Sequence, residues 1–143
     1  MKASDVILAA DDDREGDAIA WHCGNLFKLD YSRNNRINLN YTSRQNTGDG
    51  KDILPGIENV KGGGGDDIIR GNNAANTLRG EDDADKLYGN NGADKLYGGN
   101  GNDLLHGGNG NDRLVGGEGV DTAVFSSKNN RINLLSTARQ NTR

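Results

Sequence analysis

Residues 62–124 run as seven successive nonapeptides without a gap: GGGGDDIIR, GNNAANTLR, GEDDADKLY, GNNGADKLY, GGNGNDLLH, GGNGNDRLV and GGEGVDTAV. In each, six positions rich in Gly, Asn and Asp precede a triplet whose middle residue is apolar: Ile69, Leu78, Leu87, Leu96, Leu105, Leu114 and Ala123. Glycine supplies the positive-φ conformations of a tight turn, and Asn and Asp tolerate them best among the other residues. The pattern therefore predicts a turn followed by a three-residue strand, repeated. Such a strand is not stable alone. Stacked in parallel at about 4.8 Å, successive strands pair their backbones and align the aliphatics into a ladder. The expectation is an all-β solenoid with one inward side chain per repeat.

A second, longer repeat frames the first. Ser32 to Thr47 (SRNNRINLNYTSRQNT) matches Ser127 to Thr142 (SKNNRINLLSTARQNT) at 12 of 16 positions with an offset of 95. The chain is expected to begin a second copy of a 95-residue period of a longer array. Upstream, Val6 to Ala10 reads as a buried strand, and Ile19, Leu26 and Phe27 share a helical spacing, with Asp13 and Glu15 near the start of that helix, where negative charge suits the macrodipole. The expected organisation is thus a strand-helix segment over 1–30, lead-in strands over 31–61, the nonapeptide block over 62–124 and the opening of the next period over 125–143.

Composition sharpens this picture. Leu, Ile, Val and Phe contribute 13, 8, 5 and 2 of 143 residues, just under the roughly 20 % below which disorder is suspected. Something besides hydrophobic burial must hold the chain together. The formal net charge of -4 argues against a general phosphate-binding surface. The single Cys23 excludes an internal disulfide, and with two histidines a zinc site is not expected. No stretch approaches the roughly 18 apolar residues of a membrane span, and residues 1–25 lack the order of a signal peptide. Residues 62–124 hold 17 of the 22 glycines, with 11 acidic and 5 basic side chains. Lys86, Lys95, Tyr88, Tyr97 and His106 flank the aliphatic ladder and are expected to face outward.

The sixth position carries the chemistry. It reads Asp67, Asn76, Asp85, Asp94, Asp103, Asp112 and Asp121, so stacking brings carboxylates into register without basic partners of the same regularity. Like charges at that spacing repel unless a cation lies between them. Carboxylates and the carbonyls of Gly-rich turns are hard oxygen ligands, which suit calcium with its 6 to 8 flexible contacts better than octahedral magnesium.

GGNGNDLLH and GGNGNDRLV resemble the G-G-x-G-x-D-x-U-x repeat of RTX (hemolysin-type calcium-binding) proteins, and the lead-in DILPGIENVKGG looks like the usual entry to such a block. The resemblance implies a parallel β-roll with two nonapeptides per coil and Ca²⁺ between units n and n+2. One side then stacks Asp67, Asp85, Asp103 and Asp121, the other Asn76, Asp94 and Asp112, giving three interfaces plus two, up to five ions. The turn residues of these sites are Gly63, Gly65, Gly92, Gly99, Gly101, Gly108, Gly110, Gly117 and Gly119. Unit two, with Ala74 and Asn76, departs from the motif, as does Asp83 in unit three, so the interface between units two and four is expected to be the poorest. The family implies a structural or secretion-linked, non-enzymatic module of a larger extracellular or cell-surface protein, folding when it meets calcium.

A different resemblance lies at the start. LAADDDREGDAIAWH is similar to the Toprim segment of type IA DNA topoisomerases. It implies that Asp11, Asp13 and Glu15 belong to an acidic cluster holding Mg²⁺ near DNA phosphates. Asp17 stands where that family has Glu, and neither the family's upstream catalytic Glu nor its Tyr-bearing domain is present in these residues. The alternative reading is therefore a fragment of a cytoplasmic topoisomerase, inactive alone and binding DNA.

Overall fold

The computed structural model describes residues 6–7, 17–19, 26–28, 34–47, 51–126, 131–133 and 141–142. They form short strands: β1 (Val6–Ile7), β2 (Asp17–Ile19), β3 (Leu26–Lys28), β4 (Arg36–Asn38), β5 (Gln45–Asn46), β6 (Lys51–Ile53), β7 (Asn59–Gly63) and β8 (Ile68–Arg70). The series continues with β9 (Thr77–Asp82), β10 (Lys86–Asn91), β11 (Lys95–Asn100), β12 (Leu104–Asn109), β13 (Arg113–Glu118), β14 (Thr122–Val124), β15 (Arg131–Asn133) and β16 (Asn141–Thr142). Within the repeats the chain alternates between two parallel sheets. One has seven strands in the order β1-β3-β7-β9-β11-β13-β15, the other six in the order β16-β14-β12-β10-β8-β4. This is the stacked solenoid that the nonapeptide period predicts, in the two-sheeted parallel β-roll form that the RTX resemblance implies.

The register keeps the eighth positions together. Val60, Leu78, Leu96 and Leu114 pair in succession on one sheet, and Ile37, Ile69, Leu87, Leu105 and Ala123 on the other. All are buried and belong to one apolar cluster. Two ladders sharing one core explain how one aliphatic per repeat suffices, since each side chain packs along its own column and against the facing sheet. β9 to β13 are six residues long rather than three. Pairing continues past the triplet into the next unit, as in Asn90 with Gly108 and Asn91 with Asn109. A backbone without a β-carbon at the first position lets neighbouring coils stay hydrogen-bonded through the bend.

The roll also reaches beyond the nonapeptides. β4 lies against β8 through Ile37 and Ile69 although 32 residues separate them in the chain. Part of the intervening segment leaves the roll, and β5 and β6 join β2 in a third, three-stranded sheet. Leu39, Leu54 and Ile57 from this segment bury themselves on the core cluster. In the N-terminal segment Val6–Ile7 is a strand. The helix expected after it falls mainly outside the described residues, and the two stretches that are described, Asp17–Ile19 and Leu26–Lys28, are extended. Each has a parallel partner, β2 on β6 and β3 on β7. At the other end, β15 pairs with β13 and β16 with β14.

Candidate metal centre

Each turn presents its sixth residue to the coil above and below. The Asp67 amide donates to Asp85 Oδ1 at 2.8 Å, that of Asp85 to Asp103 at 2.9 Å and that of Asp103 to Asp121 at 3.0 Å. On the opposite side the Asn76 amide donates to Asp94 Oδ1 at 2.7 Å and the Asp94 amide to Asp112 Oδ1 at 3.0 Å. The structure thus brings Asp67, Asp85, Asp103 and Asp121 together on one edge, and Asn76, Asp94 and Asp112 on the other.

These carboxylates are buried, each no more than 2 % exposed. One oxygen of each is used by the neighbouring amide. The other, Oδ2 of Asp67, Asp85, Asp94, Asp103 and Asp121, is buried without a hydrogen-bond partner. Burying a charged oxygen uncompensated is costly. Burial accordingly pushes the carboxyl of Asp85 up to about 8, that of Asp103 to about 7, and those of Asp67 and Asp94 to about 6. The Asp121 carboxyl is raised for the same reason. Amide donors oppose the shift, and the neighbouring carboxylates add to it: Asp67 and Asp103 for Asp85, Asp121 for Asp103, and Asp112 for Asp94. A row of buried oxygens that hold protons too tightly is suited to a divalent cation, which supplies the missing charge.

The turns supply the rest of the donor set. Positions two and four have positive φ at Gly63, Gly65, Gly92, Gly99, Gly101, Gly108, Gly110, Gly117 and Gly119, so every glycine singled out in the sequence adopts the turn conformation expected of it. Glu81, Asp83 and Asn90 take the same conformation without being glycine. The first position is glycine for another reason: a β-carbon at Gly98 would collide with Asp103 Oδ2. Among the described residues no three His, Cys, Asp or Glu side chains converge as a metal cluster. The carbonyls of the Gly-rich turns are further oxygen donors of the kind a flexible Ca²⁺ site accepts. The donor set, carboxylate and carbonyl oxygen throughout, fits calcium.

Unit two differs in geometry as well as composition. Asn76 Nδ2 donates to the Glu58 carbonyl and to Asn72 Oδ1, both at 3.2 Å, and Asn76 Oδ1 accepts the Asn72 amide at 2.8 Å. A neutral amide closes this rung with hydrogen bonds of its own. Asn35 plays the corresponding part on the other edge, donating from its amide and from Nδ2 to Asp67 Oδ1 at 2.7 and 3.0 Å.

Two residues outside the expected set thus occupy sixth positions. Glu58 is one: its carbonyl accepts the Thr77 amide just as the Asp67 and Asp85 carbonyls accept those of Lys86 and Leu104, and its Oε2 is buried without a partner. Counting back nine residues from Asp67, Ile69 and Gly65 lands on Glu58, Val60 and Gly56, so the signal was present one unit upstream. Asn35 falls outside the nine-residue frame and had no such signal. Asp11, Asp13 and Glu15 lie outside the described residues.

Comparison with known families agrees with the geometry. Residues 55–87 and 88–123 match the RTX calcium-binding nonapeptide repeat (4 copies), and residues 1–42 match the Toprim domain. No solved structure matches the chain. The chain therefore carries a calcium-binding RTX repeat module, folded as a parallel β-roll, together with an N-terminal Toprim-domain match.

Proposed function

We propose that this chain is a calcium-triggered folding module of a larger extracellular protein, with a structural or secretion-linked role. The observation that carries the reading is the set of buried, unpartnered Oδ2 atoms, those of Asp67, Asp85, Asp103 and Asp121 along one turn edge and that of Asp94 on the other. Without cations these charges oppose the stacking that the ladder requires; with cations they cement it. Affinities of about 10⁻⁴ to 10⁻³ M, typical of extracellular calcium modules, fill outside the cell and stay empty in the cytosol, which delays folding until export.

The ions lie between units one and three, three and five, five and seven, four and six, and, most weakly, two and four, where the Asn76 amide already satisfies the turn. Equilibrium dialysis of the full chain tests this. The expected result is four strong sites and one weaker site for calcium, with magnesium a poor competitor. Equal affinity for the two metals, or fewer than two bound calcium ions, contradicts the proposal.

The Toprim match over residues 1–42 supports a second reading, a topoisomerase-derived segment that uses Mg²⁺ through Asp11, Asp13 and Glu15. Against it, Leu26–Lys28 and Arg36–Asn38, both within that match, pair into the roll. Relaxation of supercoiled plasmid in magnesium decides the point, and no relaxation is expected.

A further inference from the structure

The five basic residues of units one to seven, Arg70, Arg79, Lys86, Lys95 and Arg113, all sit at positions seven or nine, flanking the buried ladder. The carboxylates lie mostly in the turns. Strand register orders the cations on the seven-stranded sheet. Lys28 pairs with Lys61, and Lys61 with Arg79. The next strand carries Lys95, which pairs with Arg113, and Arg113 pairs with Arg131. Six consecutive rungs thus each hold one basic residue at a flanking position, and none holds an acidic residue at positions seven or nine. At about 4.8 Å per rung the row runs for about 24 Å along the roll axis. Arg79, Lys95 and Arg113 are exposed, and Lys61 is half-buried with its Nζ 3.6 Å from Glu81 at the turn. The other sheet has no such row: its basic residues are Arg36, Arg70 and Lys86, followed by Leu104 and His106, then Thr122 and Val124.

Calcium decides what this row can attract. Residues 62–124 carry 5 basic and 11 acidic side chains, a net of -6. Resting on the calcium reading above, five bound Ca²⁺ add ten charges, and the net becomes +4. The ions sit at the turn edges, so loading cancels the flanking negative potential and leaves the sheet face cationic.

We infer that the outer face of the seven-stranded sheet is a calcium-gated binding surface for a linear anionic polysaccharide lying along the roll axis. One basic residue per rung, in the ninth-position column from Lys28 to Arg79 and in the seventh-position column from Lys95 to Arg131, matches an extended polymer with one acidic group per short repeat unit. The face does not suit the other polyanions. Its aromatic ring, Tyr97, is covered by the Arg79 guanidinium at 4.5 Å, so it offers no stacking platform for bases, on which single-stranded nucleic acid depends. The large apolar side chains exposed among the described residues, Tyr41 and Val120, lie outside these strands, so the described side chains of the face include no exposed apolar anchor of the kind a membrane-surface element uses.

The test titrates the full chain with fluorescent heparin in millimolar calcium and again in chelator, following circular dichroism in parallel. Binding is expected in calcium, weakening as salt rises, and at least tenfold poorer in chelator. The double variant Lys95→Gln, Arg113→Gln removes two adjacent exposed cations of the row and is expected to lower affinity about tenfold, with its calcium-induced dichroism unchanged. Lys86→Gln on the other sheet is expected to bind within about twofold of the parent. Undiminished binding by the double variant, equal loss in Lys86→Gln, or tighter binding to single-stranded oligonucleotide or phosphatidylserine vesicles overturns the inference. A calcium-induced dichroism change without heparin binding sinks this inference alone; no dichroism change sinks the calcium reading beneath it.

Discussion

Asp103 shows how one side chain serves three coils. Its Oδ1 accepts the Asp85 amide, its own amide donates to Asp121, its carbonyl accepts the Thr122 amide, and its Oδ2 is buried without a hydrogen-bond partner. Asp103→Asn keeps the shape and removes the charge from two interfaces. It is expected to raise the calcium concentration at the folding midpoint about tenfold, as losing roughly 1.4 kcal/mol of cation binding would, read by dichroism during calcium titration. Asn76→Asp should act in the opposite direction, making the weakest interface bind tighter while destabilising the ion-free roll, because the new carboxylate would face the Glu58 carbonyl.

Proton linkage has a definite sign here. Folding raises these carboxyls from about 3.8 to between about 6 and about 8, so the ion-free fold holds protons more tightly than the unfolded chain. The stability this gives is fully present below about pH 4 and disappears as pH rises through about 6 to 8. In chelator, acidification from about pH 8 to about pH 5 should therefore increase β-sheet dichroism; a decrease contradicts the burial of these groups. The aspartates themselves were legible in the sequence because their spacing is regular. Asn35 was not, because its place in the stack depends on a chain excursion of 32 residues that leaves no period.

Among the elements, the ladder and the strands that carry it matter most. Leu96 is fully buried, with Leu78 and Leu114 as its neighbours along the sheet. Leu96→Ala opens a gap in a core only two side chains wide, and is expected to cost about 2–5 kcal/mol, seen as a lower melting temperature of the calcium-loaded chain. The inward residues were evident from the repeat. The length of the strands was not, because pairing through the Gly-rich positions is a property of the stack rather than of one unit. The strands at Asp17–Ile19 and Leu26–Lys28 were hidden for a related reason: their partners, β6 and β7, lie far along the chain, and a short apolar run carries no record of which edge it will join.

For the whole molecule, the near-disordered composition and the regular fold are two aspects of one design. Apolar residues are too few for a broad core, so the sequence concentrates them into two columns and lines the turn edges with carboxylates. On the proposed reading, calcium would supply the charge that stacking lacks and, with five ions bound, reverse the net charge of the roll. The most direct measurement is far-ultraviolet circular dichroism of the full chain at neutral pH, taken as calcium is added and then removed with chelator. A steep, reversible gain of β-sheet signal with calcium, and little with magnesium, is the predicted result. A spectrum already β-rich in chelator and unmoved by calcium would contradict the claim that cations at the stacked aspartates complete the fold.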